Sequence, residues 1–500
     1  MTTRIEHIIA GTRTGDPSGP TAPVFNPATG EQAANVVMGT TDDVDRAVAA
    51  ARAASPDWAA TPPARRAQVL FAFRDLIAGR RDDVARTISA EHGKTHDDAL
   101  GEVARALEVV EFACGIPQLL KGDFSREVAG GMDSFSERQP LGVVAGITPF
   151  NFPAMVPLWM IPMALACGNT FVLKPSEKDP SSANLVHDLL AQAGLPDGVL
   201  NVVHGGKEAV DAILDHPGIA AVSFVGSTAV AEYIYTRGCA AGKRVQALGG
   251  AKNHMIVLPD ADLDQATDAL LGAGYGSAGE RCMAISVAVP VGEETADRLV
   301  DKLAPQVQSL AIGPSTDPNA QMGPLITAGH RDKVAHMIGQ GADEGAEVVV
   351  DGRGLALQGY ENGFWLGGTL LDRVTPDMSV YRDEIFGPVL SVVRAASYDD
   401  AVDLVNGHAY ANGTAIFTRD GDAARDFAAR IEVGMVGVNV PIPVPVGYHS
   451  FGGWKRSIFG AHGIYGPEAV HFYTRLKTVT TRWPTGIRAG AELVFPTMGS

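Results

Sequence analysis

Cysteine is scarce in this chain of 500 residues: four in all, at Cys114, Cys167, Cys239 and Cys282. They are widely spaced and form no C-x-x-C pair, so they fit no metal-binding pattern. They read as reduced thiols of a cytoplasmic protein. Positive charge is also short. Lys and Arg number 40 against 57 Asp and Glu, a net charge of −17, which argues against nucleic acid and anionic membrane surfaces as partners. No apolar run approaches the roughly 20 residues of a membrane span. The start, Met1 to Ile9, lacks the apolar stretch of a secretory signal. There is no repeat of fixed period and no low-complexity segment. What remains is ordinary for a globular chain, 46% hydrophobic and 19% charged, and long enough for two or three domains.

Residues 1–40 read as short strands and turns, with Phe25-Asn26-Pro27-Ala28-Thr29-Gly30 as one turn. Helices follow: one from Thr41 behind Asp42-Asp43, one after Pro62-Pro63, one over 82–92 stopped by Gly93, and one over 97–112. On the last, Arg105 lies beside the stripe Val103, Ala106, Leu107 and Val110, and periodicity alone reads it as a surface charge. Residues 122–140, with Gly130-Gly131, form a projecting hairpin. Strands then alternate with helices: 142–147, 170–173, 199–203 and 220–225, and after residue 250 again at 255–258, 287–291, 347–350 and 389–393. This alternation predicts two parallel sheets covered by helices, with ligands at the carboxyl ends of the strands. The tail 470–483 reads as an exposed strand able to pair with another subunit.

The stretch Gly279-Glu280-Arg281-Cys282-Met283-Ala284 places a cysteine behind the small-residue run 272–279. A nucleophilic thiol must ionise, be reachable, and lie near donors for an oxyanion. The adjacent Arg281 favours the thiolate and can also grip a carboxylate. A buried structural cysteine is the commoner fate, and six residues do not decide between the two. Four other elements line up with it. Phe150 and Asn151 lie in a strand-end loop, and Lys174 and Glu177 at another strand end. Gly226-Ser227 joins a strand to a helix, and Glu384 and Phe386 lie in the turn 381–388. Singly, each is equally a packing or surface feature.

Together, in this order, they resemble the aldehyde dehydrogenase superfamily along essentially the whole chain. The resemblance implies two Rossmann-like α/β domains plus a β-hairpin oligomerisation arm. Residues 1–121 and 141–250 would bind NAD, 251–455 would carry the catalytic residues, and 122–140 with 456–490 would form the arm and tail strand. It implies that Cys282 attacks an aldehyde, with Asn151 and the Cys282 N–H as the oxyanion hole. Hydride then passes to nicotinamide. Phe150, Lys174, Glu177, Gly226, Ser227, Glu384 and Phe386 would hold the cofactor, with Glu177 on the adenosine ribose favouring NAD over NADP. Ala231 stands where a glycine is frequent in the superfamily's phosphate turn. No metal is implied.

Hydrolytic members carry Glu-Leu-Gly-Gly-Lys upstream of the cysteine, and that Glu activates water. This chain reads Leu248-Gly249-Gly250-Ala251-Lys252, with Leu248 at the base position, and Met160 after Trp159 where those members carry Lys. Loss of a general base typically costs about 10²–10⁴-fold in the step it serves. A thiol such as coenzyme A is a better acceptor than water for such a site. Gly279–Ala284, Ala251-Lys252-Asn253-His254, 438–445 and the helix 101–112 resemble the coenzyme-A-acylating branch that oxidises malonate and methylmalonate semialdehydes. In that branch arginines matching Arg105 and Arg281 hold the substrate carboxylate; the family forms dimers and tetramers through the hairpin and the tail strand, which implies a homotetramer by analogy. The alternative is a hydrolytic NAD(P)-dependent member with an unrecognised base. The coenzyme A site has no legible signature, and Phe152, Trp159 and Phe451 are pocket-wall candidates that core packing explains equally well.

Overall fold

A computed structural model describes residues 3–484 of the chain. The sequence signals for the first helices act as capping chemistry requires. Thr40 and Asp43 form a reciprocal capping box at the start of the helix Thr41–Ala60. Pro63 opens the helix Pro63–Gly79, and Gly93, at φ 91°, ends the helix Arg81–His92 in the left-handed region.

Two large sheets organise the rest. The first has eight strands. Its centre is parallel, in the order Arg244–Leu248, Ala221–Val225, Val143–Ile147, Thr170–Lys174, Leu200–Val202. Short antiparallel strands flank it, Ile458–Phe459 on one side and His7–Ile9 followed by Thr12–Thr14 on the other. The second has seven strands, in the order Glu347–Val350, Thr369–Asp372, Val389–Val392, Ile285–Pro290, Asn253–Val257, Gly413–Phe417, Met435–Val438, antiparallel only at its first pair. Most central strands are buried along their length, as expected for sheets covered on both faces. One apolar core lies mainly against the first sheet, with Leu70, Phe73, Trp159 and Phe171. Another lies on the second, with Ile256, Tyr275, Leu370 and Leu390.

The hairpin Phe124–Ala129 and Met132–Pro140 is present and carries a third strand, Thr474–Arg482. The tail departs from its expected form in two ways. Residues Pro467–Tyr473 are helical, so the strand begins only at Thr474. That strand also pairs with its own hairpin, from Thr474 opposite Pro140 to Arg482 opposite Met132, which leaves one edge open within the chain. Residues 485–490 of the expected tail lie outside the described residues. Among the described residues no helix is long and apolar enough to cross a membrane.

Candidate active site

Cys282 is reached through a strained turn. The helix Leu263–Tyr275 runs into Gly276–Gly279, where Ser277 and Ala278 have φ of 53° and 52°. Two successive non-glycine residues in this region store backbone strain, which persists only where the surroundings enforce it. Gly279 continues the turn at φ 71°, and a Cβ there would lie 2.1 Å from the carbonyl oxygen of Gly387. No other residue fits, so the cysteine loop is seated directly on the turn that carries Glu384 and Phe386. Two amides then anchor the nucleophile's backbone. Asn253 Nδ2 donates to the carbonyls of Cys282 (3.0 Å) and Ala284 (2.9 Å), and Asn412 Nδ2 donates to that of Cys282 (3.1 Å). Sequence reasoning assigned no role to Asn412, which lies 130 residues beyond the cysteine.

Arg281 favours the Cys282 thiolate as its adjacency implies, but burial outweighs it. The thiol is pushed up to about 12, first by burial and then by the Glu384 carboxylate, and the opposing pull of Arg281 is weaker than either. The guanidinium has turned away. It pairs with Asp98 on the helix His96–Cys114, folding over Gly276, where a Cβ would meet it at 2.5 Å. Cys167, a core residue, is also pushed up to about 12 by burial. Position therefore distinguishes Cys282 from a structural thiol, and acidity at rest does not.

Cys282 opens onto a cavity of about 390 Å³. Arg105 and Arg281 both line it, on the side of the helix His96–Cys114. Arg105 is thus a cavity residue rather than a free surface charge. It donates to Glu108 (2.6 Å) and to the carbonyls of Pro445 (2.7 Å) and Val444 (3.3 Å), tying the 438–445 loop to the helix. Phe152, Trp159 and Phe451 also line this space, and the Trp159 and Phe451 rings meet at a tilt with centroids 4.9 Å apart. Leu248 is buried in the adjoining core.

Asn151 follows the strand Val143–Ile147, between two aromatics that face different ways. Phe150 packs edge-on against Phe386 at 5.9 Å, and Phe152 lines the cavity. A fully buried ammonium, missed in the sequence, fixes this loop. Lys94 Nζ donates to the Asn151 carbonyl (2.7 Å) and to Glu102 (2.9 Å), and lies 4.4 Å from the centre of the Phe152 ring. Glu102 in turn accepts from the Ala154 and Met155 amides at the opening of the helix Met155–Ala166.

The remaining expected residues stand at neighbouring strand ends. Lys174 closes its strand and donates to Glu177 at 3.3 Å. Burial opposes ionisation of Glu177, but the Lys174 ammonium outweighs it and holds the carboxyl below its ordinary value. Gly226 follows the strand Ala221–Val225, and Ser227 is the N-cap of the helix Thr228–Ala240 with its hydroxyl uncommitted to capping. In the sheet order these two strands flank Val143–Ile147, so the three ends form one continuous edge.

Glu280 is a second buried group that the sequence did not single out. Burial raises its carboxyl from 4.5 to about 8, opposed by the Ile326 amide, Lys178 and Lys94. His330 Nε2 lies 3.6 Å from one oxygen and His92 Nε2 3.9 Å from the other. A raised carboxyl makes the folded state hold the proton that the unfolded chain releases. Stability then falls as pH climbs from 4.5 to about 8 and changes no further above that. Glu280→Gln removes this loss. The variant is expected to match the wild type at pH 4 and to exceed it above pH 8 by up to roughly 4–5 kcal/mol, from about 1.4 kcal/mol per unit. Denaturant titration at the two pH values reads the difference, and an equal gain at both would refute the buried-carboxyl account.

Comparison with known proteins agrees with this geometry. Residues 15–479 match the model of the Aldehyde dehydrogenase family. The malonate-semialdehyde dehydrogenase of Pseudomonas aeruginosa is 58% identical over 495 residues, covering 99% of each chain. The acylating, mitochondrial methylmalonate-semialdehyde dehydrogenase of Arabidopsis thaliana is 46% identical over 497 residues, 99% of this chain and 81% of the relative. A Sinorhizobium meliloti protein assigned as a methylmalonate-semialdehyde dehydrogenase, solved in complex with NAD, superposes with a TM-score of 0.96 at 58% identity, over 98% of this chain and 100% of that one. The match runs through both sheets, the arm and the cysteine turn alike: the chain belongs to the aldehyde dehydrogenase family.

Proposed function

We propose that the protein oxidises malonate semialdehyde and methylmalonate semialdehyde with NAD and delivers the decarboxylated acyl group to coenzyme A. One juxtaposition carries this reading. The cavity onto which Cys282 opens also holds Arg105 and Arg281, while the strand end that bears the water-activating carboxylate in hydrolytic members ends here on Leu248. The first feature suits an aldehyde with a carboxylate at its far end. The second disfavours water as the acyl acceptor.

The strand-end edge fits a dinucleotide. Its helix N-terminus, the exposed Ser227 and the Lys174–Glu177 pair supply an anion-binding end and a ribose acceptor. Phe150, Gly226, Glu384 and Phe386 belong to the same surface in this proposal. Bound NAD supplies the hydride acceptor. Cys282 adds to the aldehyde carbon, and Asn151 with the Cys282 amide holds the oxyanion. Loss of hydride leaves a thioester on Sγ with a carboxylate two carbons away. Release of that carboxylate as carbon dioxide leaves an enolate that the same donors stabilise, and protonation gives the acetyl or propionyl thioester. The open edge of Thr474–Arg482 supports assembly through the arm as a homotetramer, which the particle mass in solution tests.

The test is acceptor dependence. With malonate semialdehyde and NAD alone, one burst of NADH per site is expected, followed by turnover at least about 10²-fold slower than with coenzyme A. Acetyl-coenzyme A is the expected product. Sustained turnover without coenzyme A, with free acid as product, would instead make this a hydrolytic enzyme.

A further inference from the structure

Acyl transfer to a thiol leaves a problem of protons. The incoming thiol must lose one, and Cys282 must leave the acyl carbon as a sulfur that burial makes a poor thiolate. Leu248 can do neither. A carboxylate nevertheless reaches this spot from the other domain. Glu384 projects from the turn after Ser379–Arg382, and its Oε1 accepts from the Ala251 amide at 2.9 Å. Its Oε2 fills the place where a Cβ on Gly250 would stand, 2.5 Å away. The turn is pinned: Lys252 Nζ donates to the carbonyls of Val380 (2.7 Å) and Asp383 (2.8 Å). Cys282 and Glu384 line one small void of about 10 Å³, close to the space of a single water.

We propose that Glu384 is the proton carrier of acyl transfer. This rests on the coenzyme A reading of the site, and it adds a second duty to a residue otherwise assigned to the nicotinamide ribose. The incoming S–H gives its proton to the Glu384 carboxylate as the sulfur attacks the acyl carbon. The tetrahedral adduct collapses by breaking the bond between that carbon and Cys282 Sγ. The carboxyl then returns the proton to Sγ, so Cys282 regains its thiol and Glu384 its charge. No oxidant or water is consumed. The electrostatics suit the task. Burial raises the Glu384 carboxyl to about 6, against the Ala251 amide, Lys252 and Lys333, so it is ionised at neutral pH yet readily protonated. The other charged or titratable groups facing the void are Cys282 and Arg281.

The half-reaction can be run without NAD. p-Nitrophenyl acetate acetylates Cys282 directly, released nitrophenol counts the acetylated sites, and coenzyme A is then added. In the wild type the discharge rate is expected to fall as pH drops through about 6. In Glu384→Gln the rate is expected to be about 10²-fold lower, with that fall absent. Gly250→Ala, which displaces the carboxylate without removing it, should lower the rate to a lesser degree. No NAD is present, so a duty confined to holding the nicotinamide ribose leaves all these rates unchanged. Wild-type discharge in both variants overturns the proposal and spares the coenzyme A reading. Wild-type enzyme that discharges to water as fast as to coenzyme A overturns both.

Discussion

Arg281→Leu is expected to lower kcat/KM for malonate semialdehyde by about 10²–10³-fold, the usual cost of truncating one partner of a desolvated charge pair. The rate with propanal, which has no carboxylate, should change little. The geometry explains why the effect is specific. The guanidinium sits on the cavity wall with a side chain only 22% exposed and is held at rest by Asp98. Burial works against ionisation of Asp98, yet Arg281 and Lys94 overcome it and keep that carboxyl below its ordinary range. Asp98 thus occupies Arg281 much as a substrate carboxylate would, and one of its oxygens, Oδ2, has no hydrogen-bond partner. Binding of the acid requires the guanidinium to be shared between two anions. Arg105→Leu should behave differently. Its donors already serve Glu108 and the 444–445 carbonyls, so its loss also loosens the cavity wall and slows propanal as well. Parallel kinetics with both aldehydes separate the two roles. Equal losses for both substrates in Arg281→Leu would remove Arg281 from the carboxylate clamp.

The same pair shows where sequence reasoning stops. Arg281 precedes Cys282 by one residue, and adjacency suggested an electrostatic partner for the thiol. The strained turn at Ser277-Ala278-Gly279 instead directs the guanidinium across Gly276 to Asp98, 183 residues away in sequence. Sequence adjacency says little about direction once the backbone leaves the common regions of φ and ψ. The alternating strands and helices were legible because capping and periodicity are local signals. Short strands such as Thr369–Asp372 and Met435–Val438 were not, because four residues carry no period that separates strand from helix. The second half of the helix Pro467–Tyr473, residues 470–473, reads as strand for a related reason: the seven residues, PEAVHFY, are stabilised by packing of Phe472 and Tyr473 in the core more than by propensity. The nucleophile, the strand-end loops and the missing base were visible as residue types at expected places. The supports of the site, Lys94, Glu102 and Asn412, were not, because each acts through a contact between distant parts of the chain.

Lys94 gives the largest effect expected of a residue that touches neither substrate nor cofactor in this scheme. Its side chain and that of Glu102 are wholly buried and form a 2.9 Å ion pair. Lys94→Met removes the charge with little change of shape and leaves Glu102 buried without a counter-ion. Breaking such a pair from one side costs about 3–5 kcal/mol, so a marked drop in the denaturation midpoint is expected. Stability alone would make Lys94 a structural residue. The double variant Lys94→Met/Glu102→Gln tests for more. With both charges gone, the Gln carbonyl can still accept from the Ala154 and Met155 amides, and much of the lost stability should return. The tether from Lys94 Nζ to the Asn151 carbonyl does not return. Asn151 is the proposed oxyanion donor, and removal of such a donor outright costs about 10²–10³-fold in kcat. A donor left in place but released from its anchor should lose part of that, about tenfold or more in the pre-steady-state burst of NADH. Recovery of stability without recovery of the burst assigns Lys94 to positioning the oxyanion hole. Recovery of both together would leave it as half of a buried ion pair, since the contact to Asn151 is the one that ties Lys94 to the oxyanion donor.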